Sequence, residues 1–447
     1  MKTPKFPHPL TILTVFVFLA AGLTYLLPSG IYNRSLDPNT GRELVDPTSF
    51  HQVEDININF LDALVAIPQG MEKAADIIFL IIVAGGAFMV IEKTGALKAA
   101  IDRLVHKFEG KELFAIPVVS LLFFTGGALQ NMQEEIIAVV PILVIMTRSL
   151  GFSNLVAVAI SLGAAAVGAS FSPINPFQAV VAQKIAGLPI NSAWEFRIAF
   201  LLLAYTLWTL GVIYYAKKHP IKKEKVTENT PDDFKWQHGI ILGLILSTFV
   251  VISIGVTKFD WEFNHITALF LALGVVSGIL GRMGVSGTVN AFTEGFNDIA
   301  SSALLVGVAK AIFVVMDEGQ IVDTLVYYLS QPLNGLPAQV TAIGMMGIQS
   351  IIHIPVPSVS GQAALTMPLF TPLGDLLGIS RQVVVLAYQY GAGLAELILP
   401  TNGSLMAILV AAGVNYKTWL NFALKMYGIL IGLGVIALVI AIQIGLQ

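Results

Sequence analysis

The sequence contains no cysteine among its 447 residues, and only 12% of its residues are charged. The absence of cysteine excludes disulfide bonds, thiolate metal sites and a cysteine nucleophile. An average soluble domain has about 25% charged residues. A chain with half that share and 55% hydrophobic residues would expose large apolar patches to water, and such patches drive association. The composition therefore predicts a membrane protein.

The few charges do not form a nucleic-acid-binding surface. The net charge is -3, and no basic patch with interleaved aromatic residues occurs, so we expect no nucleic-acid partner. Near the N-terminus an apolar run covers residues 10–27, about the length of a spanning helix. No small-residue cleavage site follows this run, which predicts a first transmembrane helix rather than a signal peptide.

Several later apolar runs are too short to cross roughly 30 Å of hydrocarbon, which takes about 20 helical residues. These short runs occur in adjacent pairs. Runs 113–130 and 135–150 predict a helical hairpin that enters and leaves the membrane on one side. Runs 153–171 and 176–188 are separated by Ser172-Pro173-Ile174-Asn175-Pro176, which predicts one spanning helix that is broken at its centre.

The second half of the chain repeats this order. Shifting residues 141–175 by 227 positions gives nine identities in 35, which include the helix-breaking Pro173 and Pro400 and the nearby Asn175 and Asn402. Ordinary residue usage would give about three identities. The chain is therefore predicted to be an internal duplication.

Basic residues are concentrated in a few segments, which orients the two halves. Five lysines lie between residues 217 and 225, and segment 93–111 is also basic, so both should be cytoplasmic. The acidic 31–59 loop should face outward, as should the stretch between Lys310 and Arg381, which has no internal Lys or Arg. Helix 238–256 has no counterpart and supplies the odd crossing that inverts the second half.

We therefore predict an all-α polytopic membrane protein with two inverted-topology repeats, nine spans of which two are broken, and two re-entrant hairpins. The N-terminus should be cytoplasmic and the C-terminus periplasmic or extracellular. The first repeat covers 1–217, with hairpin 112–150 and broken helix 153–188. Residues 218–256 form a basic cytoplasmic linker and an extra transmembrane helix. The second repeat covers 257–447, with hairpin 337–377 and broken helix 380–413.

The breaks and hairpin tips predict a shared polar cavity, because lipid cannot satisfy irregular backbone at membrane depth. Inverted repeats with discontinuous helices are typical of secondary transporters, and ordinary proline kinks in a helical bundle are the alternative. Polar residues at the tips and breaks are the predicted substrate- or ion-binding residues: Asn131, Gln133, Glu134, Glu135, Ser172, Pro173, Asn175, Ser358, Ser360, Gln362, Glu396, Thr401, Asn402 and Ser404. For Ser358 a helix N-cap is an equal alternative, and Glu134 and Glu135 also suit the first turn of a helix.

Two ionisable residues stand out in apolar surroundings. Glu396 lies one turn before Pro400, where its carboxylate could hold a cation, a proton or an ammonium group. Lys310 lies in mid-helix, which favours either an ion pair with Glu396 or Asp298, or a role in coupling or substrate binding. We predict no metal site, since His353 has no second ligand at metal-binding spacing.

With these residues in place, the chain resembles the DcuC-like family of bacterial carriers, and within it the YfcC branch, whose members are often labelled basic amino-acid antiporters. The resemblance covers nearly the whole chain and rests on four motifs: Glu134-Glu135-Ile136-Ile137 with Pro141, Ser172-Pro173-Ile174-Asn175-Pro176-Phe177, Pro357-Ser358-Val359-Ser360-Gly361-Gln362-Ala363 with Met367-Pro368, and Pro400-Thr401-Asn402-Gly403 with Tyr416-Lys417-Thr418-Trp419.

Such carriers resemble the wider ion-transporter superfamily. That resemblance implies a scaffold domain, a moving transport domain that holds the hairpins and broken helices, a homodimer and elevator-like movement. It also implies that hairpin tips and helix breaks hold substrate and often sodium. One difference is that many members of the branch have an aspartate within the Gly-x-Gly before the second break, where this chain has Ala392 and carries Glu396 one turn later.

The sequence thus predicts a secondary active transporter of a small carboxylate-bearing metabolite in the bacterial inner membrane, driven by Na⁺, H⁺ or exchange, with no other cofactor. An amino acid, including a basic one, is favoured over a four-carbon dicarboxylate, because arginine is missing from the tips and breaks. An ion channel is the alternative from another class. An intramembrane enzyme is not expected, since no paired aspartates, metal-binding histidine pair or activated nucleophile is visible.

Overall fold

The computed structural model describes residues 9–36, 43–46, 48–107, 110–190, 192–224, 235–259, 261–333 and 336–446. Lys225 and the rest of the predicted linker up to residue 234 lie outside these ranges. The chain is mostly helical. The helices of the first half are α1 (Pro9–Leu23), α2 (Phe60–Lys73), α3 (Ala75–Lys93), α4 (Ala96–Lys107), α5 (Ala115–Gln130), α6 (Glu134–Ser149), α7 (Asn154–Val158), α8 (Ala164–Phe171), α9 (Val181–Ile185) and α10 (Trp194–Lys218).

The second half adds nine helices: α11 (Trp236–Phe259), α12 (Phe263–Leu280), α13 (Gly284–Glu318), α14 (Val322–Ser330), α15 (Ala338–Ile352), α16 (Val359–Leu376), α17 (Arg381–Ala395), α18 (Gly403–Ala411) and α19 (Tyr416–Gln443). π-helical turns at Ala159–Gly163 and Pro176–Val180 join α7 to α8 and lead into α9. In the part of the chain that the structure describes, seven helical stretches are long and apolar enough to cross a membrane: Ala75–Lys93, Glu112–Gln130, Asn154–Ile185, Trp194–Lys218, Phe263–Leu280, Gly284–Glu318 and Tyr416–Gln443.

The order of helices in the first half recurs in the second. α4, the α5–α6 hairpin, the α7–α9 broken helix and α10 correspond in order to α14, the α15–α16 hairpin, the α17–α18 broken helix and α19. α13 corresponds to α2 and α3 together, which are separated only at Ala74. Both hairpins and both breaks lie where the sequence predicts helical hairpins and interrupted helices.

Three elements differ from the sequence-based expectation. The apolar runs do not predict α2, which begins with a capping box between Asn59 and Asp62 and contains Pro68, a residue that interrupts its apolar pattern. α13 begins at Gly284, 17 residues before its sequence becomes continuously apolar at residue 301, because its first half is polar yet helical. The 31–59 loop contains short antiparallel strands, β1 (Gly30–Ile31) with β4 (His51–Gln52) and β2 (Arg34–Leu36) with β3 (Glu43–Val45).

α1, α2, α3, α12 and α13 pack together into what we call the outer bundle. Glycines let its long helices approach closely. A Cβ atom at Gly70 would lie 2.5 Å from the backbone nitrogen of Ala311 on α13, and one at Gly295 would lie 2.6 Å from the carbonyl oxygen of Gly85 on α3. Neither position has room for a side chain, so backbone contact between α13 and the α2–α3 pair holds this bundle together.

The two hairpins and the two broken helices form the inner bundle, and α10 and α19 pack against it. α17 and α8 are almost entirely buried where they cross. The ends of the broken helices contact each other reciprocally. Asn154, at the start of α7, donates to the carbonyl of Ala412 at the end of α18 (2.7 Å), and Arg381, at the start of α17, donates to the carbonyl of Ala186 at the end of α9 (2.8 Å).

Candidate functional site

The tip of the first hairpin is a tight turn with polar side chains. α5 ends at Gln130, the next residue Asn131 adopts a left-handed conformation with φ 57°, and α6 begins at Glu134. Asparagine tolerates this conformation better than most residues. The turn places Gln133, Glu134 and Glu135 at the N-terminus of α6, where the helix dipole favours carboxylates.

The second break is an irregular segment between α17 and α18. Pro400 lacks an N–H group and cannot continue a helix, and Asn402 then caps α18 by accepting a hydrogen bond from the N–H of Leu405 (3.1 Å). Carbonyl groups freed by the break are satisfied from α19. Trp419 Nε1 donates to Leu397 (2.8 Å), and Tyr416 Oη donates to Ile398 (2.6 Å).

Hydrogen bonds join the first tip to the second break. Gln133 Nε2 donates to Glu396 Oε2 (2.6 Å), and Asn402 Nδ2 donates to Gln133 Oε1 (3.2 Å). Ser404 Oγ donates to Glu134 Oε1 (3.1 Å). Residues 263 to 270 positions apart in the sequence therefore form one polar cluster.

The second hairpin approaches the same break from another side. Ser358 caps α16 by accepting from the N–H of Gly361 (3.3 Å). His353, at the end of α15, is buried and places Nε2 3.9 Å from Glu396 Oε1. Behind it, His353 Nδ1 lies 2.8 Å from Gln362 Oε1.

A cavity of about 540 Å³ lies where the first tip, the second tip and the second break meet the outer bundle. Ten of the fourteen predicted site residues line it: Asn131, Gln133, Glu134, Glu135, Ser358, Ser360, Glu396, Thr401, Asn402 and Ser404. Three of its lining residues hold a buried oxygen without a hydrogen-bond partner among the described residues, namely Gln130 Oε1, Glu135 Oε2 and Thr401 Oγ1. Such atoms cost about 1–3 kcal/mol each when unsatisfied, so these three are candidates for contact with a bound ligand.

The other four predicted residues do not line this cavity. Ser172 Oγ donates to the carbonyl of Ala128 (2.7 Å), and Asn175 Nδ2 donates to that of Gly127 (2.8 Å). Ser172 and Asn175 thus hold the first break against α5 and have a structural role there. Pro173 belongs to the same break. Gln362 lies one residue behind the cavity wall, against His353.

Lys310 lines this cavity and also a neighbouring cavity of about 520 Å³, whose wall includes Arg34, Asp317 and Asp323. Among the described residues no ion pair joins it to Glu396 or to Asp298, so the ion-pair alternative is not seen, and the alternative role in coupling or substrate binding stays a prediction. Its ammonium group instead lies 5.2 Å from the centre of the Phe313 ring. The tip residues Pro357 and Ser358 line both cavities too, so this tip and Lys310 lie between them.

The sequence interpretation missed the contribution of the outer bundle. Lys73 and Asp76, at the junction of α2 and α3, and Glu262, just before α12, also line the 540 Å³ cavity. Charged residues at helix ends usually face water, so the sequence carried no signal beyond their charge. Within the described part of the chain, no group of three or more His, Asp or Glu side chains could hold a metal ion.

Two solved structures share a general likeness with the chain. The YdaH transporter of Alcanivorax borkumensis is 17% identical with a TM-score of 0.45, covering 98% of this chain and 99% of its own. MtrF of Neisseria gonorrhoeae, described with a class of antimetabolite efflux pumps, is 16% identical with a TM-score of 0.42, covering 97% and 95%. At these scores neither structure defines the arrangement of this chain.

Sequence relatives are more decisive. An uncharacterized protein of Haemophilus influenzae is 30% identical, covering 99% of this chain and 98% of its own. YfcC of Escherichia coli K12, which is provisionally named a basic amino acid antiporter, is 31% identical, covering 95% and 94%. The family model DcuC, described as a C4-dicarboxylate anaerobic carrier, matches residues 6–443. These names agree with a transporter rather than an enzyme. The chain therefore belongs to the DcuC family of multi-pass membrane carriers.

Proposed function

We propose that the protein is a secondary active transporter of a small carboxylate-bearing metabolite, and that an amino acid with an additional positive charge suits it best. The charge of the cavity carries this proposal. Its wall contains five acidic residues and two basic ones: Asp76, Glu134, Glu135, Glu262 and Glu396 against Lys73 and Lys310. An acidic wall favours binding of a cationic group of the substrate, and the two lysines are able to bind the carboxylate of the same substrate.

The unsatisfied oxygens support the same ligand class. Gln130 Oε1 is an amide oxygen and can only accept hydrogen bonds, and Glu135 Oε2 can only accept while its carboxylate is ionised. Thr401 Oγ1 can also accept a hydrogen bond. An ammonium group offers three donors, and a guanidinium group offers five. A basic side chain of a bound amino acid would therefore satisfy atoms that the described protein groups leave unsatisfied.

A four-carbon dicarboxylate is the second candidate, because the family model is described by that substrate. Two carboxylates would face five acidic side chains, and none of the described arginines lines the cavity to bind them in a bidentate manner. The observed charges therefore favour the amino acid. The provisional name of the Escherichia coli relative agrees with that preference.

We propose further that the two halves are inverted repeats and that the inner bundle moves against the outer bundle, as in an elevator. The reciprocal contacts Asn154 to Ala412 and Arg381 to Ala186 support inversion, because the start of each broken helix meets the end of the other. The position of the cavity between the bundles supports relative movement. The homodimer, inner-membrane location and cytoplasmic N-terminus remain predictions.

The test is uptake and counterflow in proteoliposomes that hold the purified protein, with labelled arginine, ornithine, neutral amino acids and succinate as separate substrates. We expect saturable counterflow of arginine or ornithine, with succinate poorly transported. Saturable succinate transport without amino-acid transport would replace the first candidate by the second. Currents far above carrier turnover would favour a channel, and no saturable transport of any substrate would refute the proposal.

A further inference from the structure

We propose that His353 and Glu396 form a proton-binding pair that couples substrate movement to protons. This inference rests on the proposed transport function and specifies its coupling ion. The supporting observation is the order of donors and acceptors in two chains of hydrogen bonds. A backbone group at one end of each chain determines that order. The chains meet at the 3.9 Å gap between His353 Nε2 and Glu396 Oε1.

The first chain fixes the proton on one nitrogen of His353. Gln362 Nε2 donates to the backbone carbonyl of Gln349 (2.7 Å), and a carbonyl can only accept. Gln362 must therefore present its oxygen, Oε1, to His353 Nδ1 at 2.8 Å. Nδ1 consequently carries a hydrogen, and in the neutral ring Nε2 is an acceptor that faces Glu396.

The second chain fixes the orientation of Glu396. The backbone N–H of Leu405 donates to Asn402 Oδ1 (3.1 Å), so the amide nitrogen of Asn402 must point to Gln133 Oε1. Gln133 Nε2 then donates to Glu396 Oε2 (2.6 Å). One carboxylate oxygen is thereby occupied as an acceptor, and the other faces the histidine.

Two acceptors thus face each other inside the protein, and His353 Nε2 has no hydrogen-bond partner among the described residues. Their side chains are only 1% and 7% exposed. Without an added proton, a lone pair faces a carboxylate, which is repulsive. One proton placed on either atom turns it into a donor and allows a hydrogen bond of about 2.7–2.9 Å. The pair is therefore built to bind one proton.

The location of the pair explains how proton binding could act on transport. His353 belongs to the second hairpin, Glu396 to the second break, and Gln133 to the first tip. Closing the 3.9 Å gap would tie the second hairpin to the break. Glu396 also lines the cavity, whereas His353 does not, so an arriving cationic group and the proton compete for the same carboxylate. That competition drives exchange: the proton leaves to the cavity as the cationic substrate binds.

Other ionisable groups face the same cavity and contribute to its pH response. They are Glu134 and Glu135 on α6, Lys310 on α13, Lys73 and Asp76 at the α2–α3 junction, and Glu262 before α12. Of these, Glu134 already accepts a hydrogen bond from Ser404. The experiment must therefore assign the proton to Glu396 rather than to the cavity as a whole.

The first measurement needs no substrate. Infrared pH-difference spectra of the purified protein in lipid nanodiscs report protonated carboxyl groups directly. We expect the wild-type protein to show a carboxyl band that Glu396→Gln removes and that His353→Gln moves to a different pH. Glu54→Gln and His219→Gln, which change exposed residues outside the cavity, serve as matched controls and should leave the band unaltered. A spectrum that neither substitution at the pair alters would overturn the inference.

The second measurement links the proton to transport. Proteoliposomes that contain a pH-sensitive dye are given labelled arginine under an imposed pH gradient. We expect wild-type protein to move protons opposite to arginine. Glu396→Gln removes the carboxylate that arginine and the proton share, so it should lose proton-driven accumulation and bind arginine more weakly. Arginine transport that moves no protons in the wild-type protein would refute the coupling and leave the proposed function intact. Absent arginine transport would count against the proposed function instead, and the infrared result would still decide the proton site.

Discussion

Asn402 and Asn175 occupy equivalent places in the two breaks, yet only Asn402 lines the cavity. Both cap the helical segment that follows. Asn402 accepts from the N–H of Leu405, and Asn175 accepts from those of Phe177 and Gln178. Each also donates through Nδ2 to a buried oxygen. The same substitution to alanine at both positions therefore separates structural loss from functional loss.

The structure gives similar stability costs for the two variants. Loss of an N-cap costs about 0.5–2 kcal/mol, and a buried acceptor left without its donor costs about 1–3 kcal/mol. In Asn402→Ala that acceptor is Gln133 Oε1, and in Asn175→Ala it is the carbonyl of Gly127. Each variant should thus lose roughly 1.5–5 kcal/mol of stability, and their melting temperatures in detergent should fall by similar amounts.

Transport should separate the two variants. Asn402→Ala removes a polar side chain from the cavity wall and releases Gln133 from its fixed orientation. We expect arginine to lose one hydrogen bond worth about 0.5–1.5 kcal/mol as a result, which raises its KM about two- to tenfold. Asn175→Ala should keep the wild-type KM. Initial rates of counterflow in proteoliposomes measure both values. Equal KM values in the two variants, whether raised or unchanged, would refute the assignment of the site to the second break.

Three further predictions follow from the same structure. Lys310→Met should raise the melting temperature, because it removes a partly buried cation that has no ion pair among the described residues, and it should lower arginine uptake. If the melting temperature and arginine uptake both fall, the role of Lys310 is structural. Trp419→Phe and Trp208→Phe each remove a bond to a broken-helix carbonyl and should cost about 1–3 kcal/mol, but only Trp419→Phe, whose partner is Leu397 beside Glu396, should impair transport. Burial raises the pKa of Asp323 above its ordinary value of 3.8, so the stability that this group contributes is lost as pH rises through the folded pKa. Asp323→Asn should flatten that slope in pH-dependent melting curves, whereas Asp323→Ala should cost about 1–3 kcal/mol by leaving the N–H of Tyr32 without an acceptor.

The hairpins and breaks could be predicted because their signals are local. Proline, asparagine and charged residues interrupt apolar runs, and the predicted arms 113–130 and 135–150 differ by only one or two residues from α5 and α6. α2 escaped prediction because Pro68 and its charged ends mask its apolar face. The polar first half of α13 escaped for a similar reason: contact with α3, rather than its own hydropathy, keeps it folded.

The site could be predicted only as far as residue type allows. Polar residues at breaks indicated the cavity, but a repeated motif carries no information about which copy opens onto it. Ser172 and Asn175 turn toward α5, while Asn402 and Ser404 turn toward the first tip. That choice depends on contacts between residues more than 200 positions apart, as does the approach of Lys73 and Asp76 to the cavity.

The reciprocal contacts at the ends of the broken helices have a mechanical consequence. Each broken helix is held at both of its outer ends by a contact with the other, and its central break acts as a joint. We therefore expect motion to be greatest at the joint, which in the second broken helix holds Glu396. α17 has 15 residues and is about 22 Å long, so a tilt of about 5° about its fixed end moves its inner end by about 2 Å. A displacement of that size makes or breaks a hydrogen bond at the joint while the periphery of the bundle stays in place.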